Sequence, residues 1–114
     1  MTSPRERAQH FVDQLSPLGP VSVRRFFGGW ALTLHGVQFA FVMDTLYLCA
    51  DDRTRPGLVR LGSVPFEYEK KTGTVKLQRY LSAPDSALDD DDALCALARD
   101  ALKVAAEKPK KQKR

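Results

Sequence analysis

Between residues 21 and 50 the chain reads VSVRRFFGGWALTLHGVQFAFVMDTLYLCA, four apolar runs separated by very short turn signals. The separators are Gly28-Gly29, His35-Gly36 and Asp44-Thr45. Neighbouring strands can run parallel only if roughly a dozen residues cross between them, whereas an antiparallel pair closes through two. The spacing therefore predicts an antiparallel meander of Val21 to Phe27, Trp30 to His35, Val37 to Met43 and Leu46 to Ala50. Alternation puts Leu32 and Leu34 on the face of Trp30, and it groups Val37, Phe39, Phe41 and Met43 on one side of the third strand. Ala31, Ala40, Val42, Tyr47 and Cys49 then point the other way, which makes the second sheet face rather apolar.

The flanks supply the helices. Ser3-Pro4-Arg5-Glu6 has the spacing of a capping box with proline at the first helical position. Ala8, Phe11, Val12 and Leu15 continue it as a buried stripe, which Pro17, Gly19 and Pro20 end. Asp51 and Asp52 can cap a short helix over about Thr54 to Leu61 that presents Leu58 and Leu61. Phe66 to Lys71 and Thr74 to Leu81 form a hairpin about Thr72-Gly73, and Ser82 to Ser86 reads as loop. Asp89 to Asp92 open a last helix whose buried face is Leu94, Leu97, Ala98, Ala101, Leu102 and Ala105, with acid where the helix dipole favours it. The order α-β-β-β-β-α-β-β-α predicts an α+β protein, a two-layer sandwich with an antiparallel sheet of about six strands and helices on one face.

Charge divides the chain. The formal net charge is +4, yet five of the 18 Lys and Arg lie in residues 108–114, leaving 13 against 14 Asp and Glu elsewhere. Residues 1–107 thus read as one near-neutral domain and 108–114 as a disordered basic tail. Lys108, Lys110, Lys111, Lys113 and Arg114 are candidates for weak, non-specific, salt-dependent contact with nucleic acid. The last helix begins with four aspartates, which DNA repels, and the sheet lacks the aromatic pattern of RNA-binding folds. No apolar run approaches the roughly 18 residues of a membrane span, and Met1 to His10 lacks the apolar centre of a signal peptide, so the reading is cytoplasmic. Cys49 and Cys95 read as reduced core thiols.

Little in the sequence points to catalysis, a cofactor or a metal. His10 and His35 have no evident nucleophile to serve. The Asp89–Asp92 run lacks the alternation, glycine and distal glutamate of a calcium loop. Gly28-Gly29 lacks the phosphate-loop spacing; it reads as a turn supplying positive φ, with Phe27 and Trp30 as neighbours across it. Glu67, on the face opposite Phe66, Tyr68 and Lys70, is placed to pair across the hairpin with Lys76. Arg24, Arg25 and Trp30 are residue types enriched at interaction hot spots, and with an uncovered sheet face they suggest a protein partner or a homodimer through the sheet.

Two blocks, RRFFGGWALTLHGVQFAFVMDTLYLCAD and VPFEYEKKTGTVKLQRYLSAPDSAL, together with the acidic start of the final helix, resemble the N-terminal domain of the TfoX/Sxy competence regulators over roughly residues 4 to 106. The chain has Phe26 where that pattern has methionine, His35-Gly36 where it has Asp-Gly, and Cys49 where it has lysine. The resemblance implies a two-layer α+β sandwich and a non-enzymatic regulatory module. Two-domain members are transcriptional coactivators of DNA-uptake genes, thought to act with the cyclic-AMP receptor protein. They carry a C-terminal helical domain where this sequence has only its basic tail. The resemblance brings no catalytic residues.

Overall fold

The computed structural model describes residues 4–26 and 29–107, apart from the side chains of Pro4 and Gln78. Ser3 of the capping box, Phe27 and Gly28 of the glycine turn, and the basic tail lie outside the described residues. The elements are α1 (Pro4–Gln14), a 3-10 turn (Ser16–Leu18), β1 (Ser22–Phe26), β2 (Gly29–Leu34), β3 (Val37–Val42), β4 (Leu46–Cys49), α2 (Arg55–Arg60), β5 (Pro65–Lys70), β6 (Gly73–Ser82), α3 (Asp85–Leu88) and α4 (Asp91–Ala106). The expected order holds, with one short helix added at Asp85–Leu88 where the sequence suggested loop.

The six strands form one sheet in the order β1-β2-β3-β4-β6-β5, each neighbouring pair antiparallel. His35 and Gly36 both take positive φ, 52° and 81°, the conformation of a primed turn whose twist suits a two-residue hairpin. The β5–β6 loop falls one residue earlier than expected, at Lys71-Thr72, because Gly73 already pairs with Lys70.

Helices cover one face. Leu32, Ala40, Leu48 and Leu81 line up across β2, β3, β4 and β6, as do Trp30, Val42 and Leu46 one step along. Against these rows pack Ala8, Phe11 and Leu15 of α1 and Leu94, Cys95, Ala98, Ala101 and Val104 of α4. Gln14 ties the two helices together: its side-chain amide nitrogen donates to the Leu88 carbonyl (3.2 Å) and to Asp91 (2.8 Å), and its backbone carbonyl accepts from the Cys95 thiol (3.4 Å). Asp90 caps α4, accepting from the Ala93 N–H at 3.1 Å.

The third strand departs from its expected pattern. Its register slips between Leu32 and Thr33: Leu32 opposes Ala40, but Thr33 opposes Gln38, so Phe39 is an extra residue on β3. A bulge of this kind resets alternation. Phe39, Ala40 and Val42 all join the helix-side core, while Phe41 turns to the outer face. Ala40 and Val42 therefore do not belong with Ala31 and Tyr47 on the second face, and Phe41 does not belong with Phe39.

That outer face is covered by the sheet itself. Phe41 is 0% exposed although no helix lies over it. Its ring is 5.0 Å from those of Phe26 and Phe66, 5.4 Å from Tyr47 and 4.7 Å from Tyr80. Phe66 belongs to β5, three strands away, which in a flat sheet is about 14 Å at the usual strand spacing. The sheet must curl to close that gap. The bend lies in β6, where Pro65 pairs with Leu81 but the next residue, Phe66, pairs with Leu77.

Candidate functional site

Two surface regions combine exposure with unusual chemistry. The first is built on α2. Asp51 organises the turn into that helix, accepting from the N–H groups of Arg53 (3.0 Å) and Thr54 (3.1 Å). Burial pushes its carboxyl up, but the Arg53 guanidinium and those two N–H groups together outweigh burial and hold it below the usual carboxylate range. Arg53 also reaches Glu107 at 2.6 Å, clamping the start of α2 to the end of α4. Pro56 sits in the first turn, where no N–H is required of it.

A helix of six residues can bury little. Leu58 packs against Ala50, Leu81 and Leu97. Leu61, which the sequence presents together with it on a helix reaching to residue 61, is 54% exposed, because α2 ends at Arg60 and the chain turns away through Gly62 at φ 101°. Val59 and Val64 are 52% and 56% exposed. Among the described residues these three, with Tyr68, are the exposed large apolar side chains. A cleft of about 320 Å³ opens between α2 and α4, walled by Leu58, Leu61, Leu97 and Ala101, with Arg53 and Asp100 at its sides; of the exposed apolar residues Leu61 lines it. The sequence signal was present in LVRLGSV, whose apolar residues outnumber the burial positions a one-and-a-half-turn helix offers.

The second region is the β1–β2 edge, and here the structure separates the sequence candidates. Arg25 pairs with Trp30, while Arg24 pairs with Ala31 on the opposite face. Trp30 is half-buried against the helix-side core. The Arg25 guanidinium lies over its ring at 5.3 Å, and Arg5 from the first turn of α1 lies over the same ring at 5.7 Å. Arg7 fixes that end of α1 by donating to the Met43 carbonyl at 2.9 Å. Arg5 was not singled out from sequence, since only the packing of α1 on the sheet brings it to Trp30. Gly29 proves to be a strand residue without positive φ; a Cβ there would lie 2.2 Å from the Val42 carbonyl oxygen, so it is glycine for close approach.

The remaining candidates have structural partners or none. His10 is exposed and lies beside Phe11, its ring 5.6 Å away, and His35 is exposed in its turn. Glu67 pairs with Lys76 at 3.8 Å, as expected. Cys49 is buried and accepts from Arg79 at 3.6 Å; burial pushes its thiol up, and the Arg79 charge opposes this only in part. Cys95 is free and buried as well. Among the described residues no three His, Cys, Asp or Glu side chains are grouped to hold a metal ion, and no helix is long and apolar enough to cross a membrane.

Set against known families, the sequence matches the family model described as the TfoX N-terminal domain over residues 13–105. A search of curated proteins gives no match.

Proposed function

This chain belongs to the TfoX N-terminal domain family, and from that premise we propose that it is a non-enzymatic regulatory module acting in the cytoplasm by protein contact. Its role would be the one the resemblance implies, modulation of transcription of DNA-uptake genes through a protein partner or a second copy of itself. The observation that carries this reading is the α2–α4 cleft with the exposed Leu61 in its wall, in a segment whose Val59 and Val64 are exposed as well. An apolar cleft with an exposed leucine in its wall suits a protein-binding surface. The β1–β2 edge with Arg24, Arg25 and Trp30 offers a second contact region on the sheet.

A reporter driven by a DNA-uptake promoter tests the reading. Supplying the chain changes reporter output, and Leu61→Ser with Val64→Ser abolishes the change at equal protein level and equal melting temperature. Output that is indifferent to the chain, or to both substitutions, refutes it. Concentration-dependent sedimentation separates a homodimer from a foreign partner.

The tail supports a second, subsidiary reading. Its five positive charges within seven residues would contact phosphates, adding non-specific nucleic-acid affinity. The expected log–log salt slope is at most about −4.5 for five contacts. Replacing Lys108, Lys110, Lys111, Lys113 and Arg114 by glutamine removes it; binding that persists after the replacement places recognition in the folded body.

A further inference from the structure

We propose that Arg5, Trp30 and Arg25 form a recognition site for carboxylates, fitted to an acidic segment of a protein partner. The proposal goes beyond the α2 contact and does not depend on it. Two guanidinium groups converge on one indole, 5.7 Å and 5.3 Å from its centre. Both arginines are exposed, and among the described residues no Asp or Glu pairs with either. Two like charges are thus held together without a counter-ion, on elements that fix them independently: Arg25 by its pairing opposite Trp30, Arg5 by the docking of α1.

The chemistry of the guanidinium defines the ligand. Its donors lie in its own plane, so a group resting on an aromatic face keeps its N–H fork free for a carboxylate, and the ring limits the freedom lost on binding. Two such forks about one indole suit two carboxylates of a single acidic segment. A nucleic acid would call for a basic stripe tracking many phosphates. Outside the tail the chain carries 13 basic groups against 14 acidic ones, so it has no excess of positive charge to offer a phosphate backbone. Tryptophan with arginine is also the composition of protein-binding hot spots.

Trp30 is the only tryptophan, so its emission reports the site directly. The experiment titrates the full chain with an octaglutamate peptide, with octathymidylate as a comparison at equal ionic strength. Octaglutamate is expected to shift Trp30 emission saturably. Arg5→Gln and Arg25→Gln each weaken this response roughly three- to fivefold, in keeping with exposed charge pairs, and the double variant by about tenfold or more. These variants retain the tail, so attraction of the peptide to the tail is common to all of them. Arg5→Lys and Arg25→Lys keep the charge and lose the fork, and are expected to fall between wild type and the glutamine forms. Unchanged emission at saturating peptide, or equal affinity in the double glutamine variant at matched melting temperature, overturns the proposal. Tighter binding of octathymidylate with the same dependence on Arg5 and Arg25 overturns it in favour of a nucleic acid.

Discussion

Replacing Gly29 by alanine adds one carbon where two strands approach closely. The new Cβ would lie 2.2 Å from the Val42 carbonyl oxygen and 2.6 Å from the Met43 sulfur, whereas ordinary contact begins at 3.4 Å. The thioether can swing aside. The carbonyl cannot, because Val42 is paired with both Trp30 and Leu46, and moving it by the missing 1.2 Å disturbs both ladders. Overpacking of this kind costs about 1–3 kcal/mol, and a clash with backbone belongs at the upper end. For a domain of this size each kcal/mol lowers the melting temperature by about 4–8 °C, so Gly29→Ala should melt roughly 12–24 °C lower. Gly57 in α2 is the internal comparison, since a Cβ there meets nothing within 4 Å. Gly57→Ala should gain about 0.5–1 kcal/mol from helix propensity alone. Thermal melts followed by far-ultraviolet circular dichroism read both. A Gly29→Ala protein melting within about 2 °C of the parent refutes the close-approach account of this glycine.

Phe41→Ala empties the middle of the outer aromatic cluster and should cost about 3–5 kcal/mol in urea unfolding, more than any exposed substitution; a loss under about 1 kcal/mol means that the curled hairpin does not close over that ring. Tyr47 donates to Asp44 at 3.1 Å, and burial first, then the Asp44 charge and hydrogen bond, raise its pKa from 10.0 to about 12. The folded state therefore holds this proton more tightly than the unfolded chain. The associated stability is complete below pH 10 and is lost as pH rises through about 12. The difference between wild type and Tyr47→Phe in alkaline absorbance titration should place the Tyr47 phenolate near pH 12; a midpoint near pH 10 counts against its burial.

Much of the architecture was legible because it rests on neighbours in sequence. The His35-Gly36 turn needs only residues that tolerate positive φ, and the centre of the α4 stripe, Leu94, Ala98 and Ala101, needs only helical spacing and aspartate at its start; Cys95 and Val104 are buried with it, whereas Leu97, Leu102 and Ala105 are only half-buried. The Glu67–Lys76 pair follows from the hairpin register. The exposure of Leu61 is not legible in apolar spacing, because it depends on where α2 stops, a choice made by the turn through Gly62. Gly29 reads from the sequence as a turn residue and stands in the structure as a strand residue, because glycine has two uses, positive φ and close approach, and the sequence does not distinguish them.

Taken alone, the amino-acid sequence determined the family, the antiparallel sheet, the order of elements and the partition of charge between body and tail. Each depends on local periodicity, turn chemistry or composition. Only the tertiary structure decided which aromatic rings face the helices, since one extra residue at Phe39 reverses every later side chain on β3. It alone decided that the outer face is closed by the sheet's own curl through β6, and that Arg5 meets Arg25 over Trp30. Those outcomes arise from contacts between residues distant in the chain, whose energies are settled by packing after the elements have formed.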